Sequence, residues 1–160
     1  MDKGRWDIFT LGMDWVHLHL ALNHVPVLGS LFVGLLLLCA LVKRSDELQR
    51  LSLWWLVGLM IVSIPIKFTG DFADENKPEV ITAETALIKA HEDAADQATT
   101  GIFLAGVVAA VGLFKARGGR SVPQWGMIAA FVLSLVTFVL MARTANLGGE
   151  IRHTEIREKT

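Results

Sequence analysis

The chain has 160 residues, 52% of them hydrophobic and 19% charged, with a formal net charge of −1 at pH 7. A soluble domain usually carries about 25% charge, so a mean hydropathy of +0.47 excludes a water-soluble enzyme. A slightly acidic balance also excludes a nucleic-acid binder, which needs a basic face. The charges are unevenly placed, with none in residues 15–42, 51–66, 97–114 or 121–142. Each stretch supplies, alone or with a short extension, the about 17–25 residues of a membrane-spanning helix. What lies between them is too short to enclose a core of its own, so any chemistry must sit on or among the helices.

Residues 1–14 mix both signs of charge and are followed by no small-x-small cleavage site, so the first helix is expected to be retained rather than removed as a signal peptide. The first spanning segment covers about 22–42, with Asn23, His24 and Pro26 in its opening turns, where proline is tolerated. Cys39, the single cysteine, lies within it. One cysteine rules out a disulfide framework and a c-type haem attachment motif, and Cys39 reads as a lipid- or core-facing residue. The second segment covers about 51–70, and Pro65 is expected to kink its final turn. The third is longer, about 82–114, and amphipathic in its first half. Leu87, Ile88, His91, Ala94, Ala95 and Ala98 form one stripe at spacings of three and four, with Glu92, Asp93 and Asp96 lying off it. His91 should therefore face other helices. The fourth covers about 123–145, and Gly148-Gly149 reads as its stop signal.

The connections predict the topology. Residues 43–50 and 115–120 hold six basic and two acidic residues, whereas 71–96 hold eight acidic and two basic. The positive-inside rule then places the two short loops in the cytoplasm and both termini, with the middle loop, on the outer, periplasmic side. The expectation is a single all-α domain, an integral-membrane four-helix bundle running up-down-up-down in a bacterial inner membrane. Trp54, Trp55 and Trp125 at one level and Trp15 at the other fit aromatic belts.

This topology gathers all five histidines, His17, His19, His24, His91 and His153, at the outer face. Asp71, Asp74, Glu84, Glu92, Asp93, Asp96 and Glu150 fall there too. His24 and His91, both expected inward, are the candidate axial ligands of a b-type haem, an arrangement that takes one histidine from each side of the iron. Asn23, Asp71 and Glu150 are candidates to orient those imidazoles by hydrogen bonding. Lys67 and Arg143 are candidate partners for the haem propionates, or cations that snorkel to lipid headgroups. Gly101 and Gly106 would leave space for a flat macrocycle, or serve plain helix packing. Such a protein would pass electrons between a periplasmic or membrane partner subunit and a carrier such as quinone.

Two other readings stay open. A transition metal could be held by His24 and His91, with His19 or His153 and a carboxylate completing the set, although no His-x-x-x-His or His-Glu-x-x-His spacing occurs. His17 and His24, seven apart, would share a helical face, and His17 and His19 also fit an interfacial segment beside Trp15. Alternatively, the histidines and carboxylates form a structural network in a cofactor-free subunit of a larger complex. No nucleophile elbow or phosphate-binding loop is present.

The string His19-Leu20-Ala21-Leu22-Asn23-His24-Val25-Pro26 resembles the Leu-His-Pro-x-x-Val-His-Phe-Pro opening of a group of bacterial four-helix membrane proteins, domain of unknown function 2231. Thr69-Gly70-Asp71, His91 and Gly148-Gly149-Glu150-Ile151 resemble, in order, its Thr-Gly-x-x-Asp corner, its helix-three histidine and its Gly-Gly-Glu-Leu segment. The resemblance covers most of the chain, from His19 to His153. It departs at Leu20, where the family has proline, and at His153, which stands closer to the glycine pair than the family's histidine. What it implies is the bundle and its outer-face cluster rather than a reaction. In outline the chain is also similar to the four-helix b-type cytochrome anchors of respiratory complexes, an analogy of fold only.

Overall fold

The computed structural model describes residues 15–76 and 85–153. The acidic stretch 77–84, with the expected start of the third segment, the first fourteen residues and the tail from 154 onward lie outside the described residues. The described chain is all-helical: α1 Trp15–Leu22, α2 His24–Lys43, α3 Asp46–Asn76, α4 Thr85–Lys115 and α5 Gln124–Arg152. Four spans are long and apolar enough to cross a membrane, Trp15–Lys43, Asp46–Phe72, Thr85–Lys115 and Gln124–Ile151. The last, of 28 residues, is about 42 Å long at about 1.5 Å per residue, the thickness of a bilayer with its headgroups.

The long helices form a closed ring, α2 on α3, α3 on α4, α4 on α5 and α5 back on α2, with α1 lying on α3. Burial follows the logic of a lipid solvent. The interior combines small residues, among them Ala94, Ala98, Ala105, Ala109 and Ala130 with Ser30, Ser52, Ser63, Ser134 and Thr137, with a few large ones such as Leu37, Leu53, Leu56 and Ile102. Many large apolar side chains point outward, such as Leu28 at 62% exposure and Val139 at 64%. In water such a surface would aggregate; in lipid, where apolar burial no longer drives helices together, close backbone approach through small residues holds them. Cys39 is exposed on this outer surface.

Several boundaries differ from those expected. The first segment is preceded by a further helix, α1, which stacks Trp15 on Phe72 of α3 at 4.9 Å between ring centroids. Pro26 has no N–H to give the Leu22 carbonyl, which accounts for the interruption at Asn23. Helix α3 continues through Pro65 to Asn76, so the proline is interior rather than in the last turn. Helix α5 runs past Gly148-Gly149 and ends when His153 N–H reaches the Gly149 carbonyl at 2.8 Å. Glycine pairs stop a helix where the chain turns left-handed; here both stay helical, and the His91 ring of α4 packs on Gly148.

At the opposite end, Arg44 takes φ 51° and Gly118 and Gly119 take φ 69° and 78°. Arg50 reaches across from α3, donating to the Ala116 carbonyl at 3.0 Å and to that of Arg120. The α4–α5 connection is thereby fastened to α3.

Candidate functional site

Helix geometry decides which histidine of the first segment faces inward. Residues five apart on a helix of about 3.6 residues per turn are separated by about 140°, so His19 and His24 cannot share a face. His24 is exposed and His19 is half-buried. The inward placement expected of His24 is therefore corrected: His19 occupies it. His17, which shares the His24 face, is exposed as well.

The His19 ring lies on α3. Its Nδ1 is 3.2 Å from Thr69 Oγ1, and a Cβ on Gly70 would come within 2.9 Å of its Cε1. His91, on the inward stripe of α4, makes the same kind of arrangement on α5. Its Nδ1 is 3.0 Å from the Thr144 carbonyl, and a Cβ on Gly148 would lie 3.1 Å from its Cε1. Each imidazole is thus laid on a glycine and tied through Nδ1 to an oxygen of the neighbouring helix.

These partners fix the tautomers. A carbonyl only accepts, so His91 Nδ1 carries the hydrogen. Thr69 has one hydroxyl hydrogen and gives it to the Ile66 carbonyl at 2.7 Å, so toward His19 it accepts, and His19 Nδ1 also carries a hydrogen. In both neutral rings Nε2 is then the basic nitrogen. A histidine held by Nδ1–H on an oxygen, with Nε2 turned to a ligand, is the usual posture of a metal-binding imidazole.

The stripe expected on α4 is observed: Ala94 and Ala98 are buried, Leu87, Ile88, His91 and Ala95 partly so, and Glu92, Asp93 and Asp96 are exposed. Lys67 is not poised for a propionate, because its ammonium sits 2.9 Å from Asp71 on its own helix and 2.9 Å from Asp96 on α4. Arg143 and His153 are exposed. Glu150 accepts from Asn146 on its own helix at 2.6 Å. Asn23 Oδ1 is buried with no hydrogen-bond partner among the described residues. Thr69, Thr144 and Gly148 hold the histidines instead, as backbone and hydroxyl positions that residue-type reasoning passed over.

The fit to a haem is divided. The donor chemistry of His19 and His91 suits an iron, but the space expected at Gly101 and Gly106 is taken. A Cβ on Gly106 would lie 2.5 Å from Met60 Sδ, and one on Gly101 2.8 Å from Thr137 Oγ1. Among the described residues no group of three or more His, Cys, Asp or Glu side chains is placed to hold a metal ion. Comparison with family models, curated proteins and solved structures finds no match to this chain.

Proposed function

We propose that this chain is an inner-membrane protein of bacterial type, an up-down-up-down bundle with both termini on the periplasmic side, that binds a b-type haem at its outer end and serves electron transfer. The contacts of Leu53 with Gly112 and Met60 with Gly106, and of Gly112 with Gly126 and Gly101 with Thr137, support the alternating helix directions, since numbering rises on one helix as it falls on the next. The observation that carries the haem reading is the matched fixation of His19 and His91 through Nδ1, which leaves two Nε2 lone pairs on different helices. The likeness of His19, Thr69-Gly70, His91 and Gly148 to the uncharacterised four-helix family supports a shared outer-end site, because these are the residues in contact there.

In this reading His19 and His91 replace the pair His24 and His91. Their Nε2 atoms would hold the iron, while Thr69 and the Thr144 carbonyl keep the rings oriented. Bound haem supplies one-electron chemistry whose potential follows ligands, hydrogen bonds and burial. Electrons would pass to or from a membrane or periplasmic partner subunit, or quinone. The test is the reduced-minus-oxidised absorption spectrum of protein produced with ample haem. A b-type α band is expected, lost in His19→Ala and in His91→Ala but kept in His24→Ala. Its absence from the unaltered chain sinks the haem reading.

The second reading is a cofactor-free subunit whose outer end is held by a polar network. The Lys67 bridge between Asp71 and Asp96, and the filled space at Gly101 and Gly106, favour it. Under that reading the same alanine variants melt earlier, and no spectral band exists to lose.

A further inference from the structure

Hydroxyl groups inside a membrane helix normally satisfy themselves by donating back to a carbonyl three or four residues earlier. Six in this bundle do so. Ser30 donates to Val27, Ser52 to Leu48, Ser63 to Leu59, Thr69 to Ile66, Thr100 to Asp96 and Thr144 to Leu140, at 2.6–3.0 Å. Ser134 and Thr137 on α5 do not. Both are almost completely buried, at 1% and 2% exposure, and neither Ser134 Oγ nor Thr137 Oγ1 has a hydrogen-bond partner among the described residues. Thr137 Oγ1 is turned away from its own helix toward Gly101 of α4, where a Cβ would approach it to 2.8 Å.

Thr137 is the fourteenth of the 28 residues in the Gln124–Ile151 span, so these two unsatisfied groups lie near the middle of the bilayer. That is where an unpaired polar atom costs most, since no bulk water is at hand. Three residues apart on a helix, the two side chains have Cβ atoms about 5–6 Å from each other. A water bridging two hydroxyls joins oxygens up to about 5.6 Å apart, a span on the scale of that Cβ separation, and a buried water needs at least two polar partners.

We infer that Ser134 and Thr137 form a binding site for a buried water molecule at the midpoint of the bundle. Farther out on the same face of α5, past buried Met141, Thr144 and Gly148 meet His91. The water is thus the innermost polar site on this face, separated by Met141 from the groups that hold His91. Beyond it toward the basic loops the core is apolar, with Leu37, Leu53, Ala109, Met127 and Ala130 buried, apart from Ser52, which is satisfied within its own helix. The inference does not rest on a haem.

High-resolution diffraction from the full chain crystallised in a lipid mesophase is the direct test. Density for one water within hydrogen-bond distance of both Ser134 Oγ and Thr137 Oγ1 is the expected result. No density there, with Thr137 Oγ1 turned onto the Leu133 carbonyl, overturns the site, and density for a larger molecule overturns its assignment to water. The single variants supply a second readout: with a bridging water, Ser134→Ala leaves Thr137 and the water short of a partner and lowers the melting temperature more than the double change Ser134→Ala with Thr137→Val does, whereas strictly additive effects of the two changes overturn the shared site.

Discussion

At Gly106 the missing side chain is what lets α3 and α4 approach. A methyl group there would meet not only the flexible end of Met60, at 2.5 Å from Sδ, but also its Cβ at 2.6 Å. Rotation of the Met60 side chain cannot clear the second contact, so the helices must separate. Gly106→Ala should therefore destabilise the bundle by about 1–3 kcal/mol, the usual cost of overpacking a filled core. Met60→Ala in the same chain should return part of that loss. A double-mutant cycle from reversible unfolding in mixed micelles checks this, and strict additivity of the two changes would show that they do not meet. The histidines obey the same kind of local constraint. His19 and His24 are both polar residues near a helix end, and only the 140° between them separates a ring on α3 from a ring in solvent or lipid headgroups.

Among the described elements, α3 is tied at both ends. At the basic end Arg50 donates to two carbonyls of the α4–α5 connection, Ala116 and Arg120. Hydrogen bonds from a charged donor contribute about 1.5–3 kcal/mol each. Arg50→Gln removes the charge and shortens the reach, so residues 116–120 should open more often. Limited trypsin digestion of the solubilised protein should cut after Arg117 several-fold faster in the variant, and equal rates would mean that the turn holds without Arg50. At the histidine end α3 meets α4 through Lys67 and Asp96, whose side chains are 35% and 62% exposed. Pairs that open to solvent contribute only about 0.2–1 kcal/mol. The α3–α4 contact therefore owes more to Gly106 and Met60 than to its ion pair.

For the whole molecule the governing fact is which solvent surrounds it. Large leucine, valine, phenylalanine and tryptophan side chains cover the outside, while the inside mixes alanine, serine and threonine with a smaller set of leucine, isoleucine and methionine, so the exterior is as apolar as the core. The proposed orientation in the membrane rests on the charged ends. With residues 43–50 and 115–120 basic and 71–96 acidic, the basic turns should remain cytoplasmic. A C-terminal alkaline phosphatase fusion should be active and a C-terminal green fluorescent protein fusion dark, with the opposite outcome for fusions placed in the 115–120 turn. The reverse pattern would invert the proposed topology.

Much of the architecture was legible because it depends on quantities that are sums along the chain. Four charge-free stretches are enough to set the number of spans, since hydrocarbon tolerates few charges and every backbone polar group in it must be paired within a helix. The amphipathic stripe through His91 was equally readable, because it needs only the period of 3.6. The site was read less well. Periodicity showed that His17 and His24 share a face but not which way that face points, and only the packing of α1 on α3 turned His19 inward. Nor could residue types reveal that Thr69, Gly70, Thr144 and Gly148 would meet the two imidazoles, or that Ser134 and Thr137 would find no partner in their own helix. Those outcomes depend on the azimuth at which each helix meets its neighbours, which is decided by the interlocking of small residues across the whole ring and is carried by no single segment.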